Sequence, residues 1–150
     1  MTLQELIAPQ HVLAGLDVPD KPALLAELAR RIAPAIGREA AEVVRVLAAR
    51  EALGSTGVGG GIALPHALLA GLAQPVGLLA RLAAPVAFEA VDGRPVDLVA
   101  LLLSPDPDGR GEAHLHALAA LSRRLRTAPV ADALRAAADA PAMYAALMAG

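Results

Sequence analysis

His66 stands directly behind Pro65, at the end of a short apolar run, Ile62-Ala63-Leu64. That run follows a stretch with five glycines: Gly54, Gly57, Gly59, Gly60 and Gly61. Backbone of this kind exposes N–H groups and can wrap an anion. A neutral imidazole beside a bound anion is a competent nucleophile toward phosphorus. Phosphoryl transfer through a loose transition state asks for positioning and charge stabilisation more than for covalent help. The neighbours supply candidates for both. Ser55 and Thr56 carry hydroxyls, and the guanidinium of Arg50 stays charged and can grip two phosphate oxygens at once. A second reading stands beside this one: the glycines make a tight turn and His66 is a hydrogen-bonded core histidine.

Other uses of such a loop are excluded residue by residue. A Walker-type nucleotide loop needs a lysine and a hydroxyl after its last glycine, but Ile62 and Ala63 follow Gly61. A dinucleotide fingerprint needs glycine at its sixth position. Counted from Gly57 that position is Ile62, and counted from Gly59 it is Leu64. A serine hydrolase needs a Gly-x-Ser-x-Gly elbow after a strand, and Ser55 follows a helical pattern instead.

Two further histidines, His114 and His116, have the look of a metal clip. On a helix, however, residues two apart point about 200° from each other, so both cannot bind one ion. No metal site and no cofactor are expected. Helical phase separates the pair. His114 shares a stripe with Leu118, Leu121 and Leu125 and should turn inward; His116 shares its side with Ala120 and Arg123 and should face solvent. An inward histidine either orients a second imidazole or oxyanion, or is simply structural. His11 has no supporting pattern.

The elements that must position these residues can be read from periodicity and punctuation. Thr2 to Glu5 has capping-box spacing and opens a short helix that ends before Pro9. Val12 to Val18 suits an edge strand. Asp20 is a good N-cap for a helix carrying Leu24, Leu25, Leu28 and Ile32, and a second helix spans about Arg38 to Ala52, with Arg50 in its last turn. A glycine loop then covers Gly54 to Gly61, and Pro65 should limit the strand Ile62–Leu64. Val76–Leu82 and Val96–Leu103 are the strongest strands; the second is almost wholly apolar, as for a strand covered on both faces. Helices follow over about Glu112–Arg126 and Val130–Ala138, and from Asp139 to Met148. This alternation predicts one α/β domain over residues 1–150, with a central sheet of about five strands between two helical layers.

Composition agrees with a globular domain. The 150 residues are 56% hydrophobic and 19% charged. Net charge is −2, which gives no reason to expect a nucleic-acid or anionic-membrane partner. There is no cysteine, so disulfides and thiolate chemistry are excluded. The amino terminus carries Glu5, Asp17 and Asp20 and does not read as a signal peptide. The charge-free window Gly54–Ala80 holds seven glycines and two prolines, which argues against a membrane helix and for a cytoplasmic location.

The stretch REALGSTGVGGGIALPH, from Arg50 to His66, resembles the type-2 enzyme IIA domain of the bacterial phosphoenolpyruvate-dependent phosphotransferase system, the mannitol/fructose class that includes the nitrogen-regulatory IIA proteins. Pro95-Val96-Asp97-Leu98-Val99, Ser104-Pro105 and His114-Leu115 match the family's later segments in order, so the similarity runs over nearly the whole chain. Gly60 stands where nitrogen-type members commonly carry a polar residue. The resemblance implies a mixed sheet with helices on both sides. It implies that His66 accepts a phosphoryl group from a histidine phosphocarrier protein (HPr-like), that His114 helps to hold it, and that Arg50 neutralises its charge. Gly54, Ser55, Thr56, Gly57, Gly59 and Gly61 would then form the phosphate-binding loop. The expected function is a phosphoryl carrier of the nitrogen-regulatory type, acting on regulatory targets. The alternatives are a sugar-transport IIA component that passes the group to a IIB domain, and a non-catalytic binding module.

Overall fold

A computed structural model describes residues 2–107 and 109–149. Helix α1 (Leu3–Leu6) is capped by the Thr2 hydroxyl, which accepts from the Glu5 N–H, and strand β1 spans Val12–Leu16. Two helices follow, α2 (Lys21–Ile36) and α3 (Ala40–Glu51). Asp20 caps α2 by accepting from the Ala23 N–H, and Gly37 ends it in the left-handed region. Then come β2 (Gly57–Gly59), β3 (Ile62–Ala63), β4 (His66–Leu68), β5 (Val76–Val86) and β6 (Val96–Ser104). The chain closes with α4 (Glu112–Arg126), α5 (Ala128–Ala136) and α6 (Ala140–Met148).

The six strands form one mixed sheet in the order β1-β5-β6-β3-β2, with β4 also paired to β6. Six rather than about five strands arise from two short pieces that sequence pattern does not show. Glycine has no hydrophobic period, so β2 lies hidden in the glycine stretch, where it pairs antiparallel with β3. Pro65 interrupts a strand without ending it. Ala63 lies opposite Val99 and His66 opposite Leu102, three residues on in both strands, so β4 continues the register of β3 along β6. The Leu102 N–H donates to the Pro65 carbonyl across the gap. Only the missing proline N–H breaks the ladder.

Period-two alternation then assigns the faces. Val99, Leu101 and Leu103 of β6, with Ala63 and Ala67, pack with Leu24, Leu28 and Ile32 of α2 and Val43 and Leu47 of α3. Leu98, Ala100 and Leu102, with Ile62 and Leu64, pack with Leu121 and Leu125 of α4, Leu134 of α5 and Met143 of α6. Two cores on opposite faces make the three-layer α/β fold that was expected, and every residue of β6 except Asp97 is buried. The same parity sends the even-numbered side chains His66 and Ser104 to the α4 face.

The glycine hairpin is shaped by close approach. At Gly57 an added Cβ would lie 2.7 Å from the Cβ of Ala90 and 2.9 Å from its Cα. Backbone on one side and a strand on the other leave little room to yield. Gly57→Ala is therefore expected to cost about 1–3 kcal/mol by overpacking. A urea midpoint unchanged from wild type would refute that packing account.

Candidate functional site

His66 opens β4 and is half-buried. Its Nδ1 lies 2.7 Å from the Leu64 carbonyl oxygen. A carbonyl only accepts, so Nδ1 carries the proton and Nε2 keeps a lone pair. A second contact requires the same tautomer, because the Nε–H of Arg50 donates to His66 Nε2 at 3.3 Å. Arg50 reaches there from the last turn of α3 and is held by a 3.0 Å bond from Nη1 to the Gly54 carbonyl. The ring is thus anchored at one nitrogen, while the other is unprotonated and holds its lone pair toward a permanent positive charge.

His114 projects from the first turn of α4 onto the same place. Its ring centroid is 5.3 Å from that of His66, with the planes tilted by 45°. It is 8% exposed, whereas His116 faces solvent, as helical phase predicts. On its inner side His114 Nδ1 is 2.8 Å from the hydroxyl of Ser104, the last residue of β6. His66 and His114 are 48 residues apart by their numbers and meet because β4 and α4 both lie against β6.

Burial lowers the pKa of both rings below the ordinary imidazole value. For His66 desolvation leads, offset by the Leu64 carbonyl and aided by the nearby Arg50 charge. For His114 desolvation leads again, with His66 adding to it and Asp106 opposing. His11, in the turn before β1, is lowered by burial alone. Both site histidines are therefore neutral at pH 7, as nucleophile and hydrogen-bond donor should be. The linkage follows in sign. An unfolded chain binds protons at these positions from about pH 6.5 downward while the folded one resists, so stability falls as pH drops through that value. In an NMR titration the His66 and His114 ring protons should move with midpoints below about 6.5. Midpoints at or above that value would contradict the desolvated site.

The glycine stretch is more scaffold than open cradle. The Thr56 N–H donates to Glu51 Oε1 at 3.1 Å, and the Thr56 hydroxyl bonds Glu51 Oε2. The Ser55 hydroxyl donates to the Phe88 carbonyl at 2.7 Å and accepts from the Gly57 N–H at 3.1 Å. The Gly54 N–H returns to the Glu51 carbonyl, and the Gly60 N–H donates to Asp92. At the hairpin tip Arg135 grips Asp97 through two nitrogens and donates to the Gly60 carbonyl. These N–H groups and hydroxyls, expected to be free for an anion, are already engaged. Gly59 and Gly60 line a separate cleft between the hairpin and α5. What the structure brings together at His66 is Arg50, His114 and an apolar cleft of about 370 Å³. Its walls include Val58, Leu64, Leu115 and Leu118, with Ser55 and Thr56 at one side.

Three residues with a part here, Glu51, Lys21 and Ser104, were given no role by the sequence reading. Glu51 accepts from Lys21 Nζ at 2.9 Å and from Thr56, and its side chain is 6% exposed. Lys21 in turn lies 4.4 Å over the Phe88 ring. Ser104 is fully buried. A polar residue closing a strand as apolar as Val96–Leu103 was the available signal for it. Among the described residues no group of three or more His, Asp or Glu side chains is arranged to hold a metal ion. No helix among them is long and apolar enough to cross a membrane.

The family described as phosphoenolpyruvate-dependent sugar phosphotransferase system, EIIA 2, matches residues 5–149. A nitrogen regulatory protein from Bradyrhizobium diazoefficiens is 46% identical over 147 residues, which cover 98% of this chain and 95% of that one. The crystal structure of the nitrogen regulatory protein IIA-Ntr from Neisseria meningitidis superposes with a TM-score of 0.89 at 34% identity, covering 97% of this chain and 99% of its own. A fructose-specific EIIABC component from Bacillus subtilis is 36% identical over 76 residues, 51% of this chain and 12% of that protein.

Proposed function

This chain belongs to the EIIA 2 family of the phosphoenolpyruvate-dependent sugar phosphotransferase system, and from that membership we propose that it accepts a phosphoryl group on Nε2 of His66 from the phosphohistidine of an HPr-like carrier. The observation that carries the reading is the His66 ring itself: proton fixed on Nδ1 by Leu64, lone pair on Nε2, Arg50 and His114 beside it. In the transfer, Nε2 attacks phosphorus in line. The P–Nε2 bond forms as the P–N bond of the donor breaks, and that electron pair stays on the donor imidazole. The accepting ring becomes cationic at Nδ1–H, a charge the Leu64 carbonyl favours. Arg50 leaves Nε2 and takes up phosphoryl oxygens, and His114 donates to another. No metal or cofactor enters this scheme.

A protein donor suits the surroundings. Leu53 is 85% and Leu115 60% exposed, on the turn after Arg50 and on the wall of the His66 cleft. A docking protein would cover both. The nitrogen-regulatory role, with regulatory proteins as targets, is favoured by near-complete coverage of nitrogen regulatory relatives, whereas the fructose component aligns with half of this chain. Under the second reading the group passes on to a IIB domain. Both readings place the protein in the cytoplasm with its donor. The test is incubation with phosphoenolpyruvate, enzyme I and a cognate carrier, followed by intact-mass measurement. One acid-labile phosphoryl group per chain is expected; its absence defeats the proposal.

A further inference from the structure

Ser104 has no place in the scheme above, yet it is fully buried and its hydroxyl lies 2.8 Å from His114 Nδ1. Among the described residues no other hydrogen-bond partner of that hydroxyl is present. Two arrangements satisfy the distance. If Nδ1–H donates to Ser104, the serine proton has no acceptor among the described residues and is shut off from bulk solvent, which leaves a buried donor unpaired. If the hydroxyl donates to Nδ1, both groups are satisfied and the His114 proton resides on Nε2. We propose that Ser104 is a positioning residue which fixes the tautomer of His114, so that Nε2–H, and not a lone pair, is offered to the phosphoryl group on His66.

The consequence is chemical. An imidazole lone pair facing phosphoryl oxygens repels them, and an N–H facing them holds them. The two site histidines are thereby set as opposites: Leu64 draws the His66 proton to Nδ1, and Ser104 drives the His114 proton to Nε2. Backbone position supports a built arrangement. Ser104 and His66 share the α4 face by parity, with Leu68 opposite Ser104 in the β4–β6 register. Pro105 follows at once and has no N–H with which to continue the ladder. Asp106 accepts through its carboxylate from the N–H of Gly111, the residue before α4, at 2.7 Å.

The inference about phosphate rests on the function proposed above, but the tautomer does not, so the two can fail separately. Long-range 15N–1H NMR of the unphosphorylated full chain reads it directly. Wild type and Ser104→Thr should show His114 protonated on Nε2, and Ser104→Ala should show loss of that single tautomer. After phosphorylation, Ser104→Ala should lose its phosphoryl group or accept it about tenfold faster or slower, respectively, as for one lost hydrogen bond, and Ser104→Thr should restore the wild-type rates. A wild-type His114 protonated on Nδ1 would overturn the proposal, even if Ser104→Ala failed to fold. So would a Ser104→Ala protein with its His114 tautomer unchanged. A chain that shows the Nε2 tautomer but takes no phosphate would keep the tautomer assignment and defeat only the functional reading.

Discussion

His66→Ala is expected to take no phosphoryl group from a charged carrier, a complete loss where every other substitution at the site leaves a residue of activity. The reason is stoichiometric. Of the two site histidines, His66 is the one whose unprotonated nitrogen has a neighbouring cation. His114 has its inner nitrogen committed to Ser104 and is less exposed. The fold should survive the change. The His66 side chain makes one strong hydrogen bond, to Leu64, worth about 1 kcal/mol, and Arg50 keeps its bond to Gly54 when the ring is gone. Far-ultraviolet circular dichroism and the urea midpoint should therefore stay close to wild type. His114→Ala gives the contrast: transfer about tenfold to a hundredfold slower, since a donor to the phosphoryl oxygens is lost while the nucleophile remains. Acid-labile phosphate persisting on His66→Ala would end the assignment of the nucleophile. A His114→Ala chain that fails to fold would show that residue to be structural.

How much of this was legible before the structure differs by residue. Helices α2 and α6 announced themselves through caps: Asp20 and Asp139 accept from the N–H three residues on, at the positions their types suggest. The apolar run Val96–Leu103 could be read as a strand buried on both faces because nothing in it tolerates water. His114 could be separated from His116 because a helix has a fixed angular step. Gly57–Gly59 gave no such signal, since pairing with β3 depends on a partner and not on side chains. Pro65 suggested a stop because it lacks an N–H, but β6 supplies register on both sides of the gap. Strand β5 runs on to Val86 past the expected end at Leu82, with its pairing irregular between Arg81 and Val86. The engagement of the glycine N–H groups was equally hidden. Gly57 bonds the Ser55 hydroxyl two residues back and Gly54 the Glu51 carbonyl, local turns that glycine spacing does not reveal, while Gly60 finds Asp92 only through tertiary approach.

Glu51 shows what that tertiary approach is worth. Glu51→Ala is expected to destabilise the fold by about 3–5 kcal/mol, the cost of stranding a buried charge. At about 2–4 °C per kcal/mol for a domain of this size, the melting temperature should fall by roughly 10 °C. The carboxylate serves three donors: Lys21 Nζ at the start of α2, and the N–H and hydroxyl of Thr56, just before β2. Without it the Lys21 ammonium, 14% exposed, keeps the Phe88 carbonyl at 3.5 Å and the face of the Phe88 ring, but its one remaining anion is Glu89 at 3.6 Å, a carboxylate that is 84% exposed and screened. Removing both charges should cost less than removing one, because no ion is then left in the interior. Lys21→Met with Glu51→Gln should thus be more stable than Glu51→Ala, and a double-mutant cycle should return a coupling well above that of a surface pair. A loss under about 1 kcal/mol in Glu51→Ala would place the pair in the surface class and refute the desolvation argument. Chemistry should follow structure here. Glu51 touches no reacting atom, but it stands next to Arg50 and ties down Thr56, so Glu51→Gln should slow phosphorylation of His66 through displacement of the guanidinium. The Arg50 Nε–H signal, held near His66 Nε2 in the wild type, would report that displacement directly.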